Sequence, residues 1–491
     1  MSRKGARRET PRGALVLFTR DLRLRDQEAL MAATRSAEVV LPAFVLDREI
    51  LAATRSAPNR LAFLLESLRD LDSSLRERGG RLVLREGDLV EQAMKLVQEC
   101  DLGSIHMSAD YTPYAIRRHR RLLAACKGEG VELHLHPGVT LVPPGALTPT
   151  GGDHYKVFTP YWRLWSRQDP GILLQGPRRI VMAEGARGAP IPGLGSLTMA
   201  SPSPERDPGG ESAGREQLAR WLPHAEAYEE LHDDLPAEGT SRLSPYLHFG
   251  CLSPRTLFAR VRTRAGAHAR AGAPTQSNTS RGQSNTSRGQ STAGTEEGFL
   301  RQLCWRDFHH QVLAARPDLP SRDYRPRGDR WRKDQQSLQA WREGLTGYPI
   351  VDAGMRQLLQ EGFMHNRARL IVSSFLTKTL YIDWRAGAAH FAALLSDADV
   401  ANNVGNWQWV AGTGNDTRPN RVLNPIRQAH RFDPEGEYVR RYLPELGHIE
   451  GRAVHEPWRL VGGSERGRTL KYPPPLVDHQ AAAAEFLARR S

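Results

Sequence analysis

Four cysteines in 491 residues, Cys100, Cys126, Cys251 and Cys304, are too few and too scattered for a disulfide framework. None forms a C-x-x-C pair, so the usual zinc spacing is missing and no metal site is expected. Long apolar runs are missing too. ALVLF at 14–18 has only the length of a strand, and nothing approaches the roughly 20 apolar residues of a membrane span. The basic opening MSRKGARRETPRG lacks the apolar core of a signal peptide, which fits a reducing cytoplasm. There is no G-x-G-x-x-G after the first strand. FTRDLRLRD stands there instead, which does not support a standard dinucleotide site. Acidic charge is also short: 55 Asp and Glu face 68 Lys and Arg, a formal net charge of +13. That surplus points to a polyanion such as nucleic acid, although an Arg-rich composition spread over every surface leaves the same trace.

What is present divides the chain. After a basic start at 1–13, expected to be disordered, residues 14–140 alternate strand and helix patterns. ALVLF, VVLPAFVL (39–46), RLVLREG (81–87), SIHMS (104–108) and VELHLH (131–136) read as strands, and RLAFLLESLRDLDSSLRERGG (60–80) as a helix. Alternation of this kind predicts an α/β domain with a parallel, Rossmann-like sheet. Residues 141–214, rich in Gly, Pro and Ala from 169 onward, read as an interdomain linker. From 215 to 491 the patterns are helical, and eight of the ten tryptophans lie there. Within that all-helical domain QSNTSRG occurs twice in tandem (276–282 and 283–289). It marks 276–292 as a polar insertion expected to be disordered.

Four stretches of the helical domain carry candidate chemistry. In GTSRLSPYLHFG (239–250), Thr240 and Ser241 bring hydroxyls and Arg242 a cation, and Ser244-Pro245 suits a helix N-cap and first turn. Together they suit a phosphate or pyrophosphate, and an ordinary capped helix reads the same way. In FLRQLCWRDFHHQVL (299–313), Gln302, Arg306 and His309 share a helix face bordered by Trp305, which suits a planar ligand. In the expected helical hairpin 347–384, Val351, Met355, Leu358 and Leu359 form an apolar stripe, and Asn366 and Arg369 share a face. Arg369 needs a carboxylate if it is buried, and Asp397 is the preferred partner, with Asp399 close by. In ANNVGNWQWVAGTGNDTRPN (401–420), the Asn, Gly and Thr residues suggest a loop whose asparagines aim polar groups at a ligand. Each tryptophan there, taken alone, reads as core.

Together TSRLSPYLHFG, WRDF, GYPIVDAGMRQL, FMHNRARLIVSSFL, DWRAG, SDADVANNVGNWQW and LNPIRQAHRFDPEGEYVRRYLPEL resemble the photolyase/cryptochrome family, and most closely its class I cyclobutane pyrimidine dimer photolyases. LFTRDLRLRDQEAL and YKVFTPYWRLW in the N-terminal half match as well. The resemblance implies FAD in the helical domain, bound by Tyr228, Thr240, Ser241, Arg242, Leu243 and Ser244, with Arg306 nearby. It implies that Arg369 and Asp397 pair beside the isoalloxazine, that Asp399 lies toward the adenine and ribose, and that Asn403 faces the reactive ring nitrogen. Photolyases usually carry Asn at that position, plant cryptochromes Asp and animal ones Cys.

The same resemblance implies light-driven electron transfer that splits cyclobutane pyrimidine dimers in DNA. Gln302, Trp305, Asn366, Arg367, Leu370 and Trp409 would contact the lesion and its phosphates. Trp331, Trp384 and Trp407 would relay electrons. Gln302 departs from the Glu of many class I members and Leu370 from their frequent Met. Gln302 also occurs in (6-4) photolyases, which leaves a (6-4) photolyase or a cryptochrome-type photoreceptor as alternatives. An antenna chromophore is implied in the α/β domain, 8-hydroxy-5-deazaflavin or 5,10-methenyltetrahydrofolate. Asp110 in ADYTPYAIRRHRR would bond it, unless this is simply a helix start. The expected protein is a monomer in the cytoplasm, associated with the nucleoid. It would bind UV-damaged DNA without reading sequence and would not engage a membrane. The stretch after Trp458 fits no long signalling tail.

Overall fold

The computed structural model describes residues 13–271, 296–460 and 471–490. The expected disordered start and the tandem-repeat insertion lie outside them, except that Gly13 already opens the first strand. Five strands form one parallel sheet: β1 (Gly13–Phe18), β2 (Val39–Asp47), β3 (Val83–Gly87), β4 (Ser104–Ser108) and β5 (Glu132–His136), in the order β3-β2-β1-β4-β5. Every residue of β1 is buried, as a central strand covered on both faces must be. Leu15 and Leu17 face one apolar cluster with Leu41 and Val45. Ala14, Val16 and Phe18 face the other, which runs without a break into the helical half.

The strand order reverses between β1 and β4, and the crevice beyond their carboxyl ends is where parallel sheets receive ligands. Here the helical half fills it. Arg20, just after β1, pairs with both Asp110 and Asp399. Arg23 donates to Gly250 O at 2.9 Å. Gly250 has φ +67°, and a Cβ there would meet Arg20 O at 2.0 Å, so only glycine allows this approach.

The expected linker is a packed strap. Within 141–214 the helix Phe158–Trp165 buries Phe158, Tyr161, Trp162 and Trp165. Four aromatics in eight residues outweigh the Gly- and Pro-rich composition around them. Asp307 anchors the strap by accepting from Leu141 N (2.9 Å), Val142 N (3.0 Å) and Trp165 Nε1 (2.8 Å). Farther on, Val181 O accepts from Val40 N, and Ala189 N donates to Leu84 O, so the strap also edges the sheet. Its last residues already belong to the helix Glu211–Trp221.

The helices Glu297–Ala315, Pro349–Glu361, Asn366–Ser374, Trp384–Leu394 and Val400–Ala411 surround the site. The 401–411 stretch is therefore a helix and not the expected loop. Asp399 caps it, accepting from Asn402 N at 2.9 Å, and Gly412 at φ +76° ends it. Gly405 serves packing: a Cβ there would lie 2.2 Å from His309 Nδ1. The expected stripe on Pro349–Glu361 holds for Val351, Met355 and Leu358, which are buried, but Leu359 is 41% exposed.

Replacing Asp307 with Leu leaves three buried donors without a partner. Unfolding free energy is expected to fall by about 3 kcal/mol or more in a thermal or urea melt, because each orphaned donor costs about 1–3 kcal/mol.

Candidate active site

One cavity of about 450 Å³ opens between the helices, and nearly every candidate residue from the sequence lines it. The 228–244 segment contributes Tyr228, Thr240, Ser241, Arg242, Leu243 and Ser244. The Glu297–Ala315 helix contributes Gln302, Trp305 and Arg306. The helix beginning at Asn366 contributes Asn366, Arg367, Arg369 and Leu370. The last side is Asp397, Asp399, Asn403, Trp407 and Trp409. Trp331, Trp384 and Asp110 stand outside the lining.

Several residues have partners that the sequence did not foretell. The Ser244 hydroxyl donates to Asp397 and makes no cap bond, since Leu243 takes the cap position of the short helix Ser244–His248. Arg242, at φ +51°, turns its guanidinium to Glu361 (2.7 Å) and Asp207 (3.1 Å) and stacks 4.4 Å over Phe363. It is therefore no free anion-binding cation, and the hydroxyls of Thr240 and Ser241 remain for that task. Arg306 donates to Val139 O (2.6 Å) and Leu247 O (3.3 Å) and so joins the stretch between β5 and the strap to the cavity wall. Arg367 forms a two-pronged pair with Asp233 and lies 4.2 Å over Phe432. Asp110 is committed to Arg20 and to the amides of Tyr111 (2.7 Å) and Thr112 (3.2 Å).

The preferred pair is there. Arg369 meets Asp397 with two bonds, 2.9 and 3.2 Å, and its Nε donates to Met364 O. Asn403 donates through Nδ2 to Ala388 O at 2.9 Å, which leaves its Oδ1 as an acceptor. Asp399 is the centre of charge. Arg20 reaches it from the α/β half, and His310 lies 3.4 Å away. Burial opposes its charge, but His310 and Arg20, helped by hydrogen bonds from His248 and His310, hold the carboxyl well below its usual range. His248 and His309 go the other way. Burial brings each down to about 4, so both stand neutral at pH 7.

Aromatic walls complete the cavity. Trp305 is half-buried and rests flat on Phe158 of the strap, with centroids 3.9 Å apart at 3°. Trp409 is also half-buried and has no ring partner among the described residues. Trp407 is buried and packs so closely on the Trp384–Leu394 helix that a Cβ at Gly387 would lie 2.1 Å from its Cη2. Trp384, one turn before Gly387, is fully buried, and its Nε1 donates to Asp323 at 2.9 Å. Trp331 lies beside Tyr381 at 5.0 Å. No ring contact joins Trp407 to Trp384 among the described residues; Trp407 touches Phe391 and Trp341 instead. The sequence reading missed Arg20, Asp233 and Phe158 as supports of the site. Only the position of Arg20, just past a central parallel strand, could have flagged it.

Two family models match the chain: "DNA photolyase" over residues 14–176 and "FAD binding domain of DNA photolyase" over residues 299–491. A deoxyribodipyrimidine photo-lyase of Streptomyces griseus is 49% identical over 477 residues, covering 96% of this chain and 98% of that protein. The chain belongs to the DNA photolyase family. Its fold is similar to a bacterial class III photolyase from Agrobacterium tumefaciens, with TM-score 0.84, 33% identity, and 99% and 98% of the two chains covered. It is similar also to a Synechocystis cryptochrome, with TM-score 0.84, 28% identity, and coverage of 98% and 99%.

The photolyase cavity suits FAD by its own chemistry. Hydroxyls at Thr240 and Ser241 suit a diphosphate, an apolar floor from Leu247, Phe391 and Val410 suits a ring system, and Arg369, Asp397 and Asn403 offer polar partners at its edge. No group of side chains able to hold a metal ion occurs among the described residues.

Changing Arg20 to Met takes the guanidinium from two buried carboxylates, Asp399 and Asp110, and is expected to cost about 3–5 kcal/mol of stability. The acid response has a definite sign. A folded value depressed below the usual 3.8 means that the stabilisation is complete at neutral pH and is lost as pH falls through the carboxylate range. Urea melts at neutral and acid pH should show this loss in the natural protein and a flatter profile in Asp399→Asn.

Proposed function

We propose that the chain is a light-driven deoxyribodipyrimidine photo-lyase that splits cyclobutane pyrimidine dimers in DNA with FAD held in this cavity. The observation that carries the reading is one cavity with an indole-walled mouth, an apolar floor and polar partners at its edge. Trp305 and Trp409 line it together with Arg369, Asp397 and Asn403. When bound in its reduced form, the flavin supplies a light-driven electron to the lesion and takes it back. The chain's residues do the rest.

Trp305, stiffened by Phe158, and Trp409 offer flat faces against which a flipped-out dimer packs. Gln302, exposed at the mouth, can both donate to and accept from base edges. Asn403, its Nδ2 tied to Ala388 O, would present Oδ1 to a ring N–H. Arg369 balances the Asp397 charge and would do so beside the ring. The histidines neutral at pH 7 add no cation that would compete for the electron. Asn366 and Arg367 line the cavity and would face the lesion and its backbone, Arg367 with its charge already met by Asp233, and the net charge of +13 would gather phosphates without reading sequence, so binding is expected to fall steeply with salt.

Trp407, which lines the cavity, Trp384 and Trp331 would carry electrons inward for photoreduction. The enzyme would act as a monomer. A second, light-gathering chromophore of the deazaflavin or methenyl-folate kind would belong to the α/β half. The Asp110 carboxylate, already paired with Arg20, is a poor anchor for it. Gln302, able to donate and accept at base edges, makes the (6-4) photoproduct the alternative substrate.

The test is illumination of protein with reduced flavin in the presence of dimer-containing DNA. Thymine absorbance is expected to return with a cyclobutane substrate and not with a (6-4) substrate; the reverse pattern would transfer the assignment. Trp409→Ala should weaken binding of damaged DNA by about 1–3 kcal/mol, the usual worth of one base stacked on an aromatic ring. Trp407→Phe should block photoreduction and spare repair by prereduced enzyme. Loss of the same function in both variants would refute this division.

A further inference from the structure

Trp407 and Trp384 differ in one respect that packing does not require. Both indoles are buried. The Trp407 Nε1 has no hydrogen-bond partner among the described residues. The Trp384 Nε1 donates to Asp323 Oδ1 at 2.9 Å. The same oxygen accepts from Arg385 Nη2 at 2.8 Å, and the Arg385 guanidinium lies 4.5 Å over the Trp384 ring. Trp384 is thus held between a carboxylate at its N–H edge and a cation on its face. Asp323 is brought there by Gln408, the residue between Trp407 and Trp409. Gln408 Nε2 donates to Leu319 O (2.9 Å) and Arg322 O (3.0 Å), and its Oε1 accepts from Tyr324 N (2.8 Å). Those bonds pin the segment 319–324 against the helix that carries the first indole.

An indole that loses an electron becomes a cation, and a cation in an apolar core is costly unless an opposite charge is at hand. Oxidised Trp407 has no carboxylate on its N–H; oxidised Trp384 has one. Arg385 works against that carboxylate, but from 4.5 Å rather than 2.9 Å, and it is shared with Asp383 at 3.1 Å. Coulomb energy falls with distance, so the carboxylate prevails. We propose that Asp323 is a positioning residue that gives the relay its direction, by making Trp384 easier to oxidise than Trp407. The proposal rests on the reading of these indoles as electron carriers. One electron passes from Trp384 to oxidised Trp407. Trp407 returns to neutral and the positive charge moves to Trp384. No bond is made or broken, because the Nε1 proton stays on its nitrogen in the hydrogen bond to Asp323. In the resting protein Arg385 balances Asp323, so no bare charge is buried there before light arrives.

The experiment is transient absorption of the indole cation after a flash on the full-length protein carrying oxidised FAD. It compares the natural chain with Asp323→Asn, Asp323→Glu, Arg385→Met and Trp384→Phe, and with Asp323→Asn placed in the Trp384→Phe protein. Asn keeps the size and an acceptor for the indole N–H but loses the charge. The cation lifetime is expected to fall at least about tenfold in Asp323→Asn, to return toward the natural value in Asp323→Glu, and to lengthen in Arg385→Met. Lost packing would shorten it in both Asp323→Asn and Arg385→Met. That outcome, or an unchanged lifetime in Asp323→Asn, overturns the role of Asp323 and leaves the relay standing. In the Trp384→Phe protein, Asp323→Asn should add no further change, and a further tenfold loss there overturns the role as well. A Trp384→Phe protein that forms and keeps the cation like the natural one overturns the relay and this proposal together.

Discussion

The structure turns on one buried carboxylate. Asp399 caps the helix that carries Asn403, Trp407 and Trp409, and the same side chain receives Arg20 from the far domain and faces His310. A capping residue normally serves one helix. This one also sets the distance between a parallel sheet and a helical bundle, because a buried charge tolerates little displacement from its partners. The crevice past β1 and β4, which a nucleotide fills in many parallel-sheet proteins, is closed here by that contact. The cavity for chemistry is displaced into the helical half.

Charge pairing recurs around the cavity. Arg242 with Glu361 and Asp207, Arg367 with Asp233, and Arg369 with Asp397 each bring a cation to the lining and neutralise it in place. The result is a site that is polar yet close to neutral, walled by two half-exposed indoles. Such a site suits a reaction in which an electron leaves and returns, because no fixed charge favours one end of the journey. Attraction for a polyanion is left to the outer surface.

Much of this was legible in the sequence. The five strands and the parallel sheet followed from short apolar runs alternating with helical patterns, and their positions agree within a residue or two. The Arg369–Asp397 pair followed from the cost of an unpaired buried cation. The residues around the cavity were named through motifs and are brought together by the fold. Three things were hidden, each for a physical reason. Asn and Gly in 401–411 suggest a loop when counted, but Asp399 caps the segment and Gly405 is needed where His309 packs on the helix. The strap 141–214 looked like a linker because composition does not weigh four aromatics in a single helix. The partners of Arg242, Arg367 and Asp110 lie far away in sequence, and no local pattern encodes them.

The strap has a consequence for how this molecule can be divided. Phe158 belongs to the segment between the domains, and Trp305 to the first long helix that the FAD-binding family model covers. Their stacked rings are the underside of the cavity mouth, and Asp307, two residues after Trp305 on the same helix, holds the strap through Trp165 in the same manner. A boundary drawn where the two family models part would cut through the support of the cavity mouth. The two halves are distinct in topology but not in mechanics. A chimera that exchanges one half must carry the strap along if Trp305 is to keep the ring that supports it.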